Sequence, residues 1–327
     1  MHILFYGYGS HAKKLKTCCE DYFKSKSKIL FSGIRRSSVN TDINMFDSLE
    51  EVCKLNSEIN CVFIAANNNY HLDIFKKCLK KKIKFIYIEK PAMGVQSFFE
   101  KCPSNLKKEI KYVQIGYHMA YAEAFLKLKK IINNKKLGEL IRLDLFSGHG
   151  LAFKSDFKRS WRANEQYALL ETVLSHLINL SLNLTGVDNI YNLNTSSRLN
   201  EINEIKDTEH ITYNNREGAL FSLTASWGSP LERTVKAYFS NGIWEYDFND
   251  IVIKFPRDTF DSNNLFTHPK CHLENCKFNG LKSSVNYFLE QVTKNKPRKH
   301  EFNNSELTNF IMNNTKNLLI NRKTLKK

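Results

Sequence analysis

Near the start of the chain stands Ile3-Leu4-Phe5-Tyr6-Gly7-Tyr8-Gly9-Ser10-His11-Ala12, an apolar run that leads directly into two glycines and a small residue. The first glycine of such a stretch allows a tight turn, and the second lets the backbone approach a pyrophosphate. The small Ala12 lets the next helix pack close to the strand, so that the helix N-terminus faces the phosphates. The stretch predicts a dinucleotide-binding turn with cofactor contacts from five residues: Gly7, Gly9, Ser10, His11 and Ala12.

Strand and helix patterns alternate through the first 120 residues. Three further apolar runs follow at Ile29–Ile34, Cys61–Ala66 and Phe85–Ile88, with helical spacing between them. Strands that are apolar throughout indicate a parallel sheet covered by helices on both faces. Residues 1–120 are therefore predicted to form an α/β Rossmann dinucleotide-binding domain, with ligands at the carboxyl ends of its strands.

The pattern changes after about residue 140. Five predicted strands lie at Arg142–Phe146, Ala219–Trp227, Val235–Phe239, Trp244–Phe248 and Ile251–Phe255. One predicted helix, at about Leu169–Leu184, interrupts them, and another closes the chain at about Ser305–Leu319. Residues 121–327 are predicted to form an α+β substrate-binding domain on a mainly antiparallel, open-faced sheet.

Composition excludes several other classes of protein. The formal charge is +16, from 49 basic and 33 acidic residues, but the lysines are spread along the chain, and the run Lys76–Lys82 has the spacing of a solvated helix face. We expect no nucleic-acid partner. No stretch reaches the ~18 apolar residues of a membrane span, and no signal peptide is recognisable, which predicts a cytoplasmic protein without a membrane partner. The eight cysteines fit no disulfide framework, and Cys271–Cys276 lacks a second ligand pair, so no metal is expected.

The end of the second predicted strand bears on the choice of cofactor. An Asp or Glu at this place favours NAD, because it accepts hydrogen bonds from the adenosine ribose. Here the strand runs into Arg35-Arg36-Ser37-Ser38, and the first carboxylate is Asp42. Arg35, Arg36 and Ser37 are predicted to bind a 2′-phosphate, so that NADP is preferred over NAD. The alternative is a solvated basic turn.

Two further residues are candidates for acid–base chemistry. Lys90, in Glu89-Lys90-Pro91, follows the strand Phe85–Ile88 and so lies at the carboxyl edge of the sheet. A lysine there can act as a general acid or base, although the tripeptide also fits an ordinary strand-end turn. His176 lies in a predicted helix whose apolar stripe is on another face. Its alternative is a structural histidine bonded to the backbone.

Together these features resemble the ordered landmarks of the glucose-fructose oxidoreductase / inositol dehydrogenase / rhizopine catabolism family. After the glycine turn come Ala66-Asn67-Asn68-Asn69-Tyr70-His71, Glu89-Lys90-Pro91, Gly116-Tyr117-His118, Trp161-Arg162 and His176, and the similarity continues through Ser226-Trp227 and Asn241–Tyr246. The resemblance implies acid–base roles for Lys90 and His176. Further cofactor contacts would come from Ala66, Asn67, His71, Glu89 and Pro91. Substrate contacts are expected from Tyr117, His118, Trp161, Arg162 and Thr172.

The activity implied is hydride transfer between NAD(P) and a hydroxyl or keto carbon of a sugar or nucleotide sugar, for example in surface-glycan biosynthesis. Subunits would pair through the open sheet as a homodimer or homotetramer. The chain departs from the family pattern at Thr172, where an aspartate is common, and at Gln166-Tyr167-Ala168, where the family has a glycine run. Two alternatives therefore stay open: a redox-neutral or imine-reducing enzyme, and a non-catalytic dinucleotide-binding sensor or assembly subunit.

Overall fold

The computed structural model describes residues 1–24, 28–34, 42–55, 58–186, 189–199, 206–255, 262–265, 270–296 and 298–324. The chain divides into two compact units, Met1–Tyr121 with Gly280–Glu306 and Ala122–Asn279 with Leu307–Lys327. The sequence predicts a single boundary, between residues 120 and 121. The segment Gly280–Glu306 belongs to the first unit, whereas the sequence alone assigns it to the range 121–327.

A parallel sheet of six strands forms the centre of the first unit. Its strands are β1 (His2–Tyr6), β2 (Leu30–Ile34), β3 (Asn44–Phe46), β4 (Cys61–Ile64), β5 (Phe85–Ile88) and β6 (Tyr112–Ile115). They lie in the order β3-β2-β1-β4-β5-β6, and every neighbouring pair is parallel. This is the strand order of dinucleotide-binding sheets, in which the ligand crevice opens between β1 and β4 at the carboxyl ends.

Five helices connect these strands. They are α1 (Ser10–Phe23), α2 (Leu49–Cys53), α3 (His71–Lys80), α4 (Val95–Lys101) and α5 (Ser104–Glu109). The hydroxyl of Ser48 accepts a hydrogen bond from the Glu51 backbone N–H at 3.2 Å, so α2 begins with the side-chain cap that its Ser-x-x-Glu sequence favours.

An eight-stranded sheet forms the centre of the second unit. Its strands are β7 (Leu140–Gly148), β8 (Tyr191–Leu199), β9 (Lys206–Asn214), β10 (Leu220–Ser226), β11 (Glu232–Phe239), β12 (Gly242–Tyr246), β13 (Asp250–Phe255) and β14 (Lys270–Asn275). Their order is β14-β13-β12-β11-β7-β10-β9-β8. Only the central pair β7/β10 is parallel among the paired strands described, which confirms the prediction of a mainly antiparallel sheet.

The remaining helices are α6 (Glu123–Asn133), α7 (Trp161–Asn164), α8 (Ser175–Thr185), α9 (Gly280–Lys294) and α10 (Ser305–Thr324). A π-helical turn, Leu170–Leu174, precedes α8 directly. The helix expected at about Leu169–Leu184 is therefore present, but its first turn is wider than an α-helix. Among the residues described, no helix combines the length and apolar character needed to cross a membrane.

The first sheet is covered on both faces, as its apolar strands predict. Leu4 and Val62 point into one core with residues of α3, whereas Phe5 and Phe63 point into the other, with α1 and α9. Phe288 of α9 packs edge-on against the ring of Phe63, at 5.2 Å between centroids. The aromatic face of α9 explains why this late segment packs on the first sheet.

Candidate functional site

Gly7 forms the tight turn that follows β1. Its φ angle is +90°, and a Cβ at this position would lie 2.6 Å from the Cα and N atoms of Ala66. Both the left-handed backbone and the backbone neighbour therefore require glycine. The Gly7 N–H also donates to the carbonyl of Ile34 at 2.9 Å, so the turn is fixed between the ends of β2 and β4.

Gly9 leaves open space in front of α1. It is the N-cap of this helix in an extended conformation (φ −106°, ψ −166°), and a Cβ there would meet nothing within 4 Å. Glycine has no side chain to accept from the first N–H groups of α1, at Ser10 and His11. Such an uncapped helix N-terminus suits a phosphate group. Ala12 is fully buried in the core beneath it, as expected for close packing of α1.

A cavity of about 660 Å³ lies at this turn. Its walls come from the β1–α1 turn, the end of β2, the segment after β4 and one side of α3. Of the predicted cofactor contacts, four line it: Gly7, Gly9, Ala66 and Asn67. The structure thus brings Gly7, Gly9 and the segment after β4 to one concave surface, which fits the adenosine and phosphate part of a dinucleotide.

His71, the first residue of α3, joins the ends of β4 and β5. Its Nε2 lies 2.9 Å from the carbonyl oxygen of Ala66, and its Nδ1 lies 3.1 Å from that of Pro91. Burial lowers the pKa of this imidazole, although both carbonyls oppose the shift. The neutral ring donates to one carbonyl at a time, and its position ties the cavity wall at Ala66 to the residue after Lys90.

Glu89 and Lys90 follow β5 directly, at the same edge of the sheet. The Glu89 carboxylate is buried and forms an ion pair with His11 at 2.9 Å. Burial alone would raise the pKa of Glu89, but His11 lowers it below its ordinary value, with smaller contributions from His118 and Lys90. Lys90 is partly exposed, and its charge acts to lower the pKa values of Glu89, His11 and His71.

Tyr117 and His118 follow β6, the neighbour of β5. The Gly116 N–H donates to the Ile88 carbonyl at 2.7 Å, which sets this segment beside Glu89. Tyr117 is 1% exposed and packs in the core of the first unit. His118 begins a 3₁₀ turn and is only partly buried. Their contacts with a substrate stay predictions, and His118 has the more accessible side chain.

The other predicted site residues belong to the second unit. Trp161 begins the short helix α7, and burial lowers the pKa of its neighbour Arg162. Thr172 lies in the π-helical turn, where its hydroxyl donates to the Ala168 carbonyl. His176 is the second residue of α8 and is partly exposed, although most of α8 is buried. Because the turn before α8 is π-helical, Thr172 and His176 do not have the regular i, i+4 relation of an α-helix.

Arg35, Arg36 and Ser37, the predicted 2′-phosphate site, lie outside the described residues. Asp42, the first carboxylate after β2, accepts a hydrogen bond from the Tyr8 hydroxyl at 2.8 Å and pairs with Lys16 at 3.0 Å. Tyr8 and Lys16 also lower the pKa of Asp42. This carboxylate is thus engaged by two residues of the β1–α1 region, a contact between distant segments that no local sequence pattern indicates.

The cavity wall includes three lysines that the sequence analysis does not place there. Lys76, Lys77 and Lys80 of α3 line the cavity, although the sequence predicts a solvated face for this lysine run. The reason is geometric, because the side of α3 that carries them borders the crevice at the end of β2. The spacing of the lysines indicates a common face, but the sequence does not show what that face borders.

The fold class is thus a Rossmann unit combined with an α+β unit on a mainly antiparallel sheet. Among solved structures, the chain is similar to levoglucosan dehydrogenase in complex with NADH and levoglucosan, with a TM-score of 0.76, 12% identity, and coverage of 97% of this chain and 96% of that one. It is also similar to an oxidoreductase from Agrobacterium radiobacter in complex with NAD+, L-tartaric acid and magnesium, with a TM-score of 0.75, 12% identity, and 98% and 96% coverage. A third similar structure is a myo-inositol dehydrogenase from Corynebacterium glutamicum, with a TM-score of 0.69, 13% identity, and 97% and 96% coverage.

No family model matches the chain, and no curated protein matches it. At identities of 12–13% the structural similarity establishes the fold. That fold is the one implied by the resemblance to the glucose-fructose oxidoreductase / inositol dehydrogenase / rhizopine catabolism family, and the prediction of the fold is confirmed.

Proposed function

We propose that this protein is an NAD(P)-dependent oxidoreductase that acts on a hydroxyl or keto carbon of a sugar or nucleotide sugar. The observation that carries the proposal is the pair of glycines at the crevice. The positive φ angle and the close backbone of Ala66 require glycine at position 7, whereas the space at Gly9 is open beside an uncapped helix N-terminus. This arrangement suits a pyrophosphate at the carboxyl edge of the first sheet.

Lys90 is the proposed acid–base residue. It follows β5 at the edge where β1 and β4 hold the glycine turn, and it is partly exposed. When bound, the nicotinamide ring supplies or accepts the hydride. The Lys90 ammonium gives a proton to the substrate oxygen during reduction, and the neutral amine takes it back during oxidation. Glu89 and His71 hold the backbone on either side of Lys90.

His176 is the second proposed participant, on the strength of the sequence resemblance. It adjoins a π-helical turn, a feature that is frequent at functional sites. Its side chain is partly exposed, whereas most of α8 is buried. Arg162, Trp161 and Thr172 of the same unit remain proposed substrate contacts.

Two of the similar structures support a polyhydroxylated substrate. One is a levoglucosan dehydrogenase with its sugar bound, and another is a myo-inositol dehydrogenase. Their substrates carry secondary hydroxyl groups, the group that a lysine beside nicotinamide can deprotonate. A role in surface-glycan biosynthesis is part of the proposal, and nucleotide sugars are therefore the first substrates to test.

The test has two stages. Titration of NADP(H) and NAD(H) into the purified protein measures binding, and free polyols and nucleotide sugars are then screened by absorbance at the nicotinamide band. We expect binding and at least one substrate that changes this absorbance. A protein that binds neither dinucleotide contradicts the proposal at its base.

A specific observation favours one other candidate, a non-catalytic dinucleotide sensor. The position at which the family commonly has an aspartate is Thr172, which bonds to the Ala168 carbonyl, and the neighbouring Glu171 pairs with Lys316 at 2.7 Å. The side chain at the aspartate position is thus a hydroxyl, and the carboxylate of Glu171 is paired with a lysine. A sensor would bind dinucleotide but would turn over no substrate in the screen. A redox-neutral enzyme would instead retain its cofactor through purification.

The second unit is proposed to pair with a second copy of the chain through its sheet. Large apolar side chains are exposed on the face of this sheet that lies opposite the buried Leu143 and Leu145, including Leu220 of β10 and Leu273 of β14. Light scattering coupled to size exclusion would measure the mass, and a dimer or tetramer is expected. Leu220→Asp should shift that equilibrium towards the monomer.

A further inference from the structure

The lysines of α3 give the dinucleotide cavity a basic wall. Lys76, Lys77 and Lys80 all line it, together with Asp73 and Ile34. Residues 73, 77 and 80 are spaced by four and three along the helix, so they share one face. The next lysines of the same run, Lys81 and Lys82, are not part of this wall.

Neighbouring carboxylates balance only part of this charge. The Nζ of Lys76 lies 3.6 Å from a carboxylate oxygen of Asp73. In the part of the chain that the structure describes, no carboxylate oxygen lies within 4.0 Å of the Nζ of Lys77 or Lys80. Asp47 contributes one more negative charge to the wall. Two lysine side chains therefore remain available to an anion that enters the cavity.

The position of these lysines differs from that of the pyrophosphate turn. Lys77 and Lys80 follow the start of α3 by six and nine residues, which corresponds to about 9 and 13 Å along the helix axis. The cavity thus extends from the glycine turn along α3 and past Ile34, the last residue of β2. In this sheet the end of β2 is where the adenosine ribose of a dinucleotide binds.

We propose that Lys77 and Lys80, assisted by Lys76, bind a phosphate on the 2′-hydroxyl of the adenosine ribose and so make α3 a determinant of cofactor choice. The inference rests on the proposed dinucleotide-binding function, and it does not depend on Arg35 or Arg36. Ammonium groups bind a phosphate dianion by charge-assisted hydrogen bonds, and the flexible lysine stem can follow a ligand at the cavity rim.

The test compares the binding of NADP, NAD, 2′,5′-ADP, 3′,5′-ADP and 5′-AMP by calorimetry. The variant is Lys77→Met/Lys80→Met, which keeps the helix propensity and removes two exposed charges. Lys81→Met/Lys101→Met is the matched control, since it removes the same charge from exposed positions outside the cavity.

We expect the variant to lose about tenfold or more in affinity for NADP and 2′,5′-ADP, the loss that about 1.4 kcal/mol of binding energy represents. Its affinity for NAD and 5′-AMP should change by less than about twofold, and the control should resemble the wild type. Wild-type protein should also bind 2′,5′-ADP more tightly than 3′,5′-ADP.

Three results overturn the inference. They are an unchanged ratio of NADP to NAD affinity in the variant, an equal effect in the control, and tighter wild-type binding of 3′,5′-ADP. In each case dinucleotide binding itself survives, so the proposed function stands. If the wild type binds none of the five compounds, the proposed function fails and the inference falls with it.

Discussion

The Nε2 atom of His11 lies 2.9 Å from Oε1 of Glu89, so the first turn of α1 is joined to the residue that precedes Lys90. The two side chains come from elements that follow β1 and β5, and β4 lies between these strands in the sheet. The contact thus joins segments that follow two strands on either side of β4. Glu89 is buried, and His11 supplies the positive charge that balances it.

This pair should make stability depend on pH in a defined window. Glu89 raises the pKa of His11 above 6.5 against the opposing effects of burial, Lys90 and Lys14. The contribution of His11 to the free energy of unfolding is therefore fully present below pH 6.5, and it is lost as the pH rises through the raised pKa of His11. The contribution of Glu89 is present above its ordinary pKa of 4.5 and is lost as pH falls through its lowered pKa.

His11→Gln is expected to lower the free energy of unfolding by about 1 kcal/mol near pH 6, a value reduced because His11 is partly exposed. The difference from wild type should shrink at higher pH. Urea unfolding at a series of pH values measures it. His272→Gln, at an exposed histidine of β14, is the control and should leave the profile unchanged. A difference that stays constant from pH 5 to 9 would contradict the assigned charge.

The two glycines of the turn should respond differently to the same substitution. Gly7→Ala meets both a positive φ and the backbone of Ala66, so we expect a loss of about 2 kcal/mol or more in unfolding free energy. Gly9→Ala meets no protein atom within 4 Å and should keep wild-type stability, but its methyl group occupies the proposed pyrophosphate space. Thermal unfolding and dinucleotide titration separate the two effects. Equal stability losses would show that Gly9 is a structural residue instead.

Much of the first unit could be predicted because its strands are apolar throughout. β1, β4 and β5 each follow from such a run, and β2 follows from the apolar residues 29–31 and 34, whereas β6, which has Gln114 near its centre, is not predicted. The Gln114 amide donates to the backbone and hydroxyl oxygens of Ser284 in α9, a partner that lies 170 residues away. A local sequence pattern cannot show that a buried amide has a hydrogen-bond partner so far along the chain. Neither β6 nor the position of α9 therefore follows from the sequence.

The candidate site shows the same limit. The positions of Gly7, Gly9 and Lys90 follow from motifs, because each needs only a strand end and a turn. The contacts that join these motifs, from His71 to Pro91 and from His11 to Glu89, depend on the order of strands in the sheet. The spacing of apolar residues predicts a helix before His176, but it does not show that this turn has a π-helical backbone.

His176→Asn distinguishes a site residue from a structural one. If His176 contacts substrate, we expect kcat/KM to fall at least about tenfold while the melting temperature is unchanged. His210→Asn is a matched control, since His210 is a partly buried histidine of β9 that bonds to the Thr224 hydroxyl at 2.8 Å. A large loss of stability with proportionate loss of activity would identify His176 as structural.

The double variant Arg35→Ala/Arg36→Ala tests the basic segment after β2. Two guanidinium groups that bind the 2′-phosphate should give NADP about a ten- to hundredfold advantage over NAD in the wild type. The variant is expected to lose most of this advantage, as measured by titration with both cofactors. Equal wild-type affinities, tighter NAD binding or unchanged NADP affinity in the variant would each rule out the assignment.

Lys90→Ala is the most direct test of the chemistry, because its two readouts separate catalysis from binding. Lys90 follows β5 and does not line the cavity that we assign to adenosine and phosphate, so dinucleotide affinity should change little. Loss of a positioned acid–base group should lower kcat by at least about 10² on the true substrate. Lys90→Ala also removes a positive charge close to Glu89 and shortens the side chain. Lys90→Met removes the same charge but keeps most of the side-chain volume. If both variants lose activity alike at unchanged cofactor affinity and unchanged melting temperature, the ammonium group itself carries the proton. Near wild-type turnover in either variant would move the acid–base role away from Lys90.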